Sequence, residues 1–198
     1  MDQDDLDAYN ASQAVYGSNK HHESLLAEGY IQDLGLSSNV SRTYSKPSQT
    51  IVTYKGTNPL SLIDLDADAA IGLGTHRQNQ EFTKASDTAK KAKQKYKNKI
   101  ITTGHSLGGT KAIESANDVG GKAVVFNPGT GVFGLNSDSH KVYIHEKDKI
   151  ASRVKGSNVT KIKGGSYFTP LKNHSINTFE DTFIPKRQNG RVMKKVKK

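Results

Sequence analysis

The run ITTGHSLGG, residues 101–109, holds the side chains whose types and spacing are best suited to covalent chemistry. Gly104-His105-Ser106-Leu107-Gly108 is a G-x-S-x-G pattern. Glycine two residues before and two after the serine permits a tight turn from a strand into a helix. That turn lifts the hydroxyl above a sheet and aims the N-terminus of the following helix at it. A bulkier side chain at either glycine would collide with the neighbouring strand or helix. Serine held in this way is a candidate nucleophile for acyl transfer. The five letters alone are weak, since an ordinary glycine-rich turn can spell them. Their setting adds weight: residues 100–102 have strand character, and 106–118 can follow as a helix burying Leu107, Ala112, Ile113 and Ala116.

A serine hydroxyl needs an imidazole to take its proton and a carboxylate to hold that imidazole. In α/β-hydrolase sheets the chain order is Ser, then Asp or Glu, then His. The histidines after Ser106 are His140, His145 and His174. His140 and His145 bracket a predicted strand, whose rigid direction suits a core or surface role. His174, in the loop LKNHS ahead of a predicted helix, is the expected general base. Among the carboxylates, Asp118 ends the nucleophile helix away from the sheet's C-terminal edge, and Asp138 lies in a polar loop. Asp148 follows the strand VYIHE, and loops leaving strand C-termini share one crevice in open α/β sheets. Asp148 is the expected acid, with Asp138 its rival; Asp148 also reads as the residue opening a helical turn at 149–152. Oxyanion donors would be the N–H of Leu107 and, from the loop Tyr54-Lys55-Gly56-Thr57, the N–H and hydroxyl of Thr57. An ordinary Gly-Thr turn has the same letters.

The elements that must position these groups follow from periodicity. Residues 5–16 and 22–29 read as short helices, with Leu6, Ala11, Ala14, Val15, Leu25 and Leu26 as buried candidates. Residues 39–45 and 50–54 read as strands joined by a turn at Lys46-Pro47-Ser48. A glycine- and aspartate-rich segment, 56–75, precedes a long helix at about 79–97. The strand at 99–103, the nucleophile helix, and strands at 122–126, 141–145 and 158–162 complete the series, and a last helix is expected to start near His174. Strands alternating with helices predict an α/β fold with a mainly parallel central sheet flanked by helices. No repeat or linker divides the chain, so one domain over 1–185 is expected, followed by a basic, flexible tail at 186–198.

Composition narrows the function. The 198 residues carry a net charge of +10 and no cysteine, which removes disulfides, thiolate metal sites and a cysteine nucleophile. No stretch approaches the roughly 20 apolar residues of a transmembrane span. The opening MDQDDLDAYN is acidic, the reverse of a signal peptide, so an intracellular protein is expected. Lysines at 84, 90, 91, 93, 95, 97 and 99, and a second basic cluster over 186–198, read either as solvated surface or as attraction to an anionic membrane. No RNA- or DNA-binding motif accompanies the charge, so nucleic acid ranks below a lipid surface.

Taken in order, YKGT, GHSLGG, NPG, HEKD and NHS resemble the class 3 (fungal-type) lipases over residues 50–175. The resemblance implies an α/β-hydrolase core with Ser106 as nucleophile, Asp148 as acid, His174 as base, and Thr57 with Leu107 as oxyanion donors, without metal or cofactor. Lys55 stands where that family usually has arginine, His145 where asparagine often precedes the acid by three, and Phe126-Asn127-Pro128 replaces Phe-Gly-x-Pro. The chain is shorter than most such lipases, and its compact, basic, cysteine-free makeup resembles versions carried by large DNA viruses and their satellites, with virion association implied in that case. The family commonly has a mobile lid after the oxyanion strand; here that is 58–74, with Leu60, Leu62, Ile63 and Leu65 covering an acyl groove. A fixed connection with those residues in the core fits the same letters. The expected activity is hydrolysis of lipid esters, triacylglycerol or phospholipid. The competing expectation is a lipase-like module without turnover that binds anionic membrane or capsid surfaces.

Overall fold

The computed structural model describes residues 1–56, 80–129, 135–136, 138–163, 170–184, 187–188 and 191–192. Helix α1 (Gln3–Ala14) starts at a capping box: the Asp5 N–H donates to Asp2 Oδ1 at 3.1 Å, and the Asp2 N–H donates to Asp5 Oδ2 at 2.8 Å. Helix α2 (Asn19–Ala27) folds back along it, burying Leu25 while Leu26 stays 45% exposed, so only one of the two expected leucines faces the core. A two-residue edge strand β1 (Ile31–Gln32), absent from the sequence expectation, precedes the hairpin of β2 (Ser41–Lys46) and β3 (Gln49–Tyr54). Lys46 still pairs with Gln49, leaving Pro47 and Ser48 as the loop.

The sheet is completed by β4 (Lys99–Ser106), β5 (Lys122–Pro128), β7 (Lys141–His145) and β9 (Val159–Ile162). A separate two-stranded sheet joins β6 (Leu135–Asn136) to β8 (Val154–Lys155). The seven strands of the main sheet run in the order β1-β2-β3-β4-β5-β7-β9; β1 to β3 pair antiparallel, and β3 to β9 pair parallel. This is an α/β fold with a mostly parallel sheet between helices, as periodicity predicts. Helix α3 (Gln80–Tyr96) turns Ala85, Ala89 and Ala92 inward and its lysines outward. Helix α4 (Leu107–Val119) packs beside it, with Ala112, Ile113 and Ala116 buried.

Strand alternation divides the interior in two. Ile51, Ile101, Val124, Phe126 and Tyr143 face α1, while Val52, Ile100, Ala123, Val125, Val142 and Ile144 face α3 and α4. The expected last helical segment begins just past His174, and a short helix that the sequence reading lacks precedes it. Helix α5 (Pro170–His174) ends at His174, Ser175 turns extended with its Oγ accepting from the Asn177 N–H, and a 3-10 turn (Ile176–Phe179) leads into α6 (Glu180–Phe183). The serine's bond to the backbone two residues on caps the start of that turn. Within 186–198, Arg187–Gln188 (β10) pairs antiparallel with Arg191–Val192 (β11). Among the described residues no helix is long and apolar enough to cross a membrane.

Candidate active site

The elbow forms where β4 hands over to α4. Ser106 has φ 57° and ψ −130°, a left-handed conformation for a residue with a Cβ, and β4 shifts register against β5 at that point. Such a conformation costs on the order of 1–3 kcal/mol and persists only where surroundings enforce it. The enforcement is steric. A Cβ on Gly108 would sit 2.2 Å from the Tyr54 carbonyl oxygen, and one on Gly104 would sit 2.5 Å from the Gly108 backbone. The first turn of α4 thus lies against the end of β3 at a distance only glycine allows. Ser106 makes no capping bond to its helix, so its hydroxyl is available elsewhere.

That hydroxyl meets His174. Ser106 Oγ lies 2.8 Å from His174 Nε2, and His174 Nδ1 lies 2.7 Å from Asp148 Oδ2. A carboxylate accepts only, so Nδ1 carries the proton and Nε2 offers its lone pair to the Ser106 O–H. Ser106, Asp148 and His174 are 2%, 3% and 1% exposed, which shields the chain of bonds from water. The other Asp148 oxygen accepts from the N–H groups of Ile150 (2.8 Å) and Ala151 (3.3 Å), at the start of the 3-10 turn Ala151–Arg153. The turn-opening reading of Asp148 and its pairing with histidine therefore hold at once, one oxygen for each.

The rivals lie elsewhere. Asp138 is exposed and accepts from the Ser157 N–H at 3.0 Å. His140 bridges the Ala123 N–H and Asn117 Oδ1 behind α4. His145 accepts the Lys147 N–H through Nδ1, and burial lowers its pKa. Leu107 opens α4, so its N–H is among those a helix leaves without an intrahelical acceptor, directly after Ser106. Thr57, the segment 58–74, and with it Leu60, Leu62, Ile63 and Leu65, lie outside the described residues.

Sequence reasoning passed over three side chains here. Asn127, read only as a strand breaker, donates through Nδ2 to the carbonyls of Asn173 (3.1 Å) and His174 (3.2 Å), while its Oδ1 accepts the His145 N–H at 2.8 Å. It ties β5 and β7 to the base. His105 is buried with its Nε2 on the His174 carbonyl, and Tyr16 lies beyond it. A histidine flanking the serine and an asparagine before proline were visible as letters, but nothing local marked what they would touch.

A serine at a strained elbow on the C-terminal rim of a parallel sheet, with imidazole and carboxylate against it, is an arrangement that can carry out acyl transfer on an α/β fold. A family model describes the chain more closely: it belongs to the phospholipase-like family, as a Tle-like phospholipase domain matched over residues 5–178. Among solved structures, the chain is similar to a Rhizomucor miehei lipase propeptide complex carrying a deletion, with a TM-score of 0.43 and 15% identity. The similarity covers 74% of this chain, which spans 58% of the length of that one. No curated protein sequence matches the chain.

Proposed function

We propose that this protein is a serine carboxylic ester hydrolase acting on phospholipid, with fatty-acyl ester cleavage of the A1 type and no metal or cofactor. The observation that carries the reading is the unbroken chain Ser106 Oγ, His174 Nε2, His174 Nδ1, Asp148 Oδ2 at 2.8 and 2.7 Å. Ser106 Oγ attacks the ester carbonyl as its proton passes to His174 Nε2. The Asp148 carboxylate, bonded to Nδ1, steadies the resulting imidazolium. The negative oxygen of the tetrahedral intermediate takes the Leu107 N–H and faces the positive end of α4; Thr57 is assigned the second donation. The C–O bond to the glycerol backbone breaks, the leaving oxygen receives the proton from Nε2, and an acyl group remains on Ser106. Water, deprotonated by His174, then releases the fatty acid and restores the serine.

Positive charge favours phospholipid over triacylglycerol. The lysines of α3 are exposed, and so are Ile31 (75%), Leu34 (78%) and Val40 (62%) on the nearby β1–β2 edge. Apolar side chains beside ammonium groups suit an anionic bilayer surface, where each basic residue contributes about 1 kcal/mol. We assign the basic residues of 186–198 to the same contact.

An active-site-directed fluorophosphonate tests the chemistry. Wild type is expected to label at Ser106 and to hydrolyse a soluble short-chain ester, and Ser106→Ala to lose both, with turnover falling by about 10⁴–10⁶. A folded wild type that neither labels nor hydrolyses would overturn the enzyme reading and favour a module that only binds lipid surfaces.

A further inference from the structure

We propose that His105 and Tyr16 are positioning residues: together they form a hydrogen-bonded strap that ties the backbone of His174 to the loop expected to hold the oxyanion. This inference rests on the ester-hydrolase reading for its catalytic consequence, but its geometry stands independently. Three contacts build it. His105 Nε2 bonds to the His174 carbonyl oxygen, His105 Nδ1 lies 3.3 Å from Tyr16 Oη, and Tyr16 Oη lies 2.9 Å from the Gly56 nitrogen.

The direction of every bond in the strap is fixed by chemistry. A carbonyl oxygen only accepts, so His105 Nε2 must carry the ring proton. Nδ1 then has a lone pair and takes the Tyr16 O–H. With its proton committed, Tyr16 Oη accepts from the Gly56 N–H, which can only donate. Each group has one role and no spare proton, so the strap has a single arrangement while His105 is neutral. It stays neutral because burial, and secondarily the charge of neighbouring His174, push its pKa down to about 3. A neutral ring is also what the site needs. The two imidazoles are 4.9 Å apart between centroids, and a charged His105 would oppose proton uptake by His174.

Two consequences follow. The Gly56 N–H is occupied by Tyr16, so an oxyanion donor from this loop must come from a residue after Gly56. The N-terminal helix also becomes part of the active site. Tyr16 sits two residues past α1, held by its N–H on the Gln13 carbonyl, and α1 is pinned to β4 through Ser12 Oγ and Thr103 Oγ1 at 2.8 Å. The ring of Tyr16 meets His105 edge-on at 6.1 Å, and Lys55 Nζ stands 5.7 Å from its centroid, so its hydroxyl can be removed with the ring kept in place.

Tyr16→Phe is the direct test, assayed on a soluble short-chain ester so that membrane binding plays no part. The expected result is a kcat about 10-fold lower with KM within twofold, an equal fall in the rate of fluorophosphonate labelling, and a melting temperature close to that of wild type. His105→Ala should lose more than His105→Gln, whose amide can still donate to the His174 carbonyl. A second arm needs no turnover: ¹⁵N-resolved imidazole spectra of full-length Ser106→Ala protein should show His105 protonated at Nε2, with Nδ1 shifting when Tyr16→Phe is added. An Nδ1-protonated His105, or an Nδ1 signal indifferent to Tyr16→Phe, overturns the strap. Wild-type kcat in Tyr16→Phe overturns its positioning role. A wild type without esterase activity refutes the hydrolase reading and the catalytic consequence, and the spectra still decide the strap.

Discussion

The two faces of the central sheet are packed with different materials. The face toward α1 is aromatic: Tyr9, Phe126, Tyr143, Phe179 and Phe183 form a cluster in which Phe126 touches four other rings at centroid distances of 5.3–5.6 Å. The face toward α3 and α4 is aliphatic: alanine at positions 85, 92, 112, 116, 123 and 151 is interleaved with valine and isoleucine, and among the described residues Tyr54 is its one aromatic ring. The difference has a functional side. His174 leads straight into Ile176–Phe179, whose buried residues enter the aromatic cluster, so the proposed base hangs from that face. The elbow serine is set from the other, by the approach of α4 to β3. One face fixes the base and the other fixes the nucleophile.

That division can be broken on purpose. Phe179→Ala should destabilise the protein by about 3–5 kcal/mol in chemical denaturation. Its folded fraction should also hydrolyse ester more slowly, because the segment carrying His174 loses its anchor. Ala116→Leu overfills the opposite face and should cost about 1–3 kcal/mol. Its serine should still label at close to the wild-type rate below the melting transition, since α4 shifts at its far end. Equal damage to labelling from both substitutions would show that the faces do not divide the work.

A third test sharpens the comparison through pH. His105 projects toward the α1 side and stays uncharged in the native state down to about pH 3, whereas unfolded histidine titrates near 6.5. Below about pH 6.5 the unfolded chain binds a proton that the native chain refuses, so stability falls as pH falls. By pH 5 this one group removes about 2 kcal/mol. His21, His140 and His145 are shifted the same way by burial, so the contribution is read as a difference. His105→Gln should flatten the slope of unfolding free energy against pH between 6.5 and 5. An unchanged slope would mean that His105 is solvated in the native state.

The smallest effect belongs to the outer surface of α3. Lys84→Glu with Lys91→Glu should leave stability within about 0.5 kcal/mol while weakening binding to phosphatidylserine vesicles at low salt by at least about fivefold per position. Hydrolysis of a soluble ester should not change. Removal of 186–198 should weaken vesicle binding in the same way. Vesicle binding that survives both changes would separate this charge from the membrane.

Much of the fold was legible because its signals are local. Residues 50–54, 99–103 and 122–126 read as strands and about 79–97 as a long lysine-rich helix, from patterns a few residues long. The sequence also puts a short list of residues, Ser106, His174 and Asp148 or Asp138, forward as partners. It does not reveal β1, β6 or β8, each two residues long and held by pairing with distant chain rather than by any pattern of its own. Nor does it show the five-residue helix that ends at His174, which precedes the helical turn capped by Ser175.

The chain by itself put forward the strand–turn–helix at Ser106 and the longer strands and helices, because strand alternation and helix periodicity act between neighbours a few residues apart, whereas the clearance at Gly108 is set by Tyr54, far away in the chain. The match over residues 5–178 shows the phospholipase-like family, a coarser statement than the class 3 resemblance read from the motifs. The tertiary structure alone decided what holds the site. Tyr16 and His105 are 89 positions apart, His105 and His174 are 69 apart, and Tyr16 and Gly56 are 40 apart. A hydrogen bond forms only when donor and acceptor come within about 3 Å at the right angle. For groups so far apart along the chain, that distance is set by how α1, the sheet and the aromatic core pack, and no local stretch of sequence contains it.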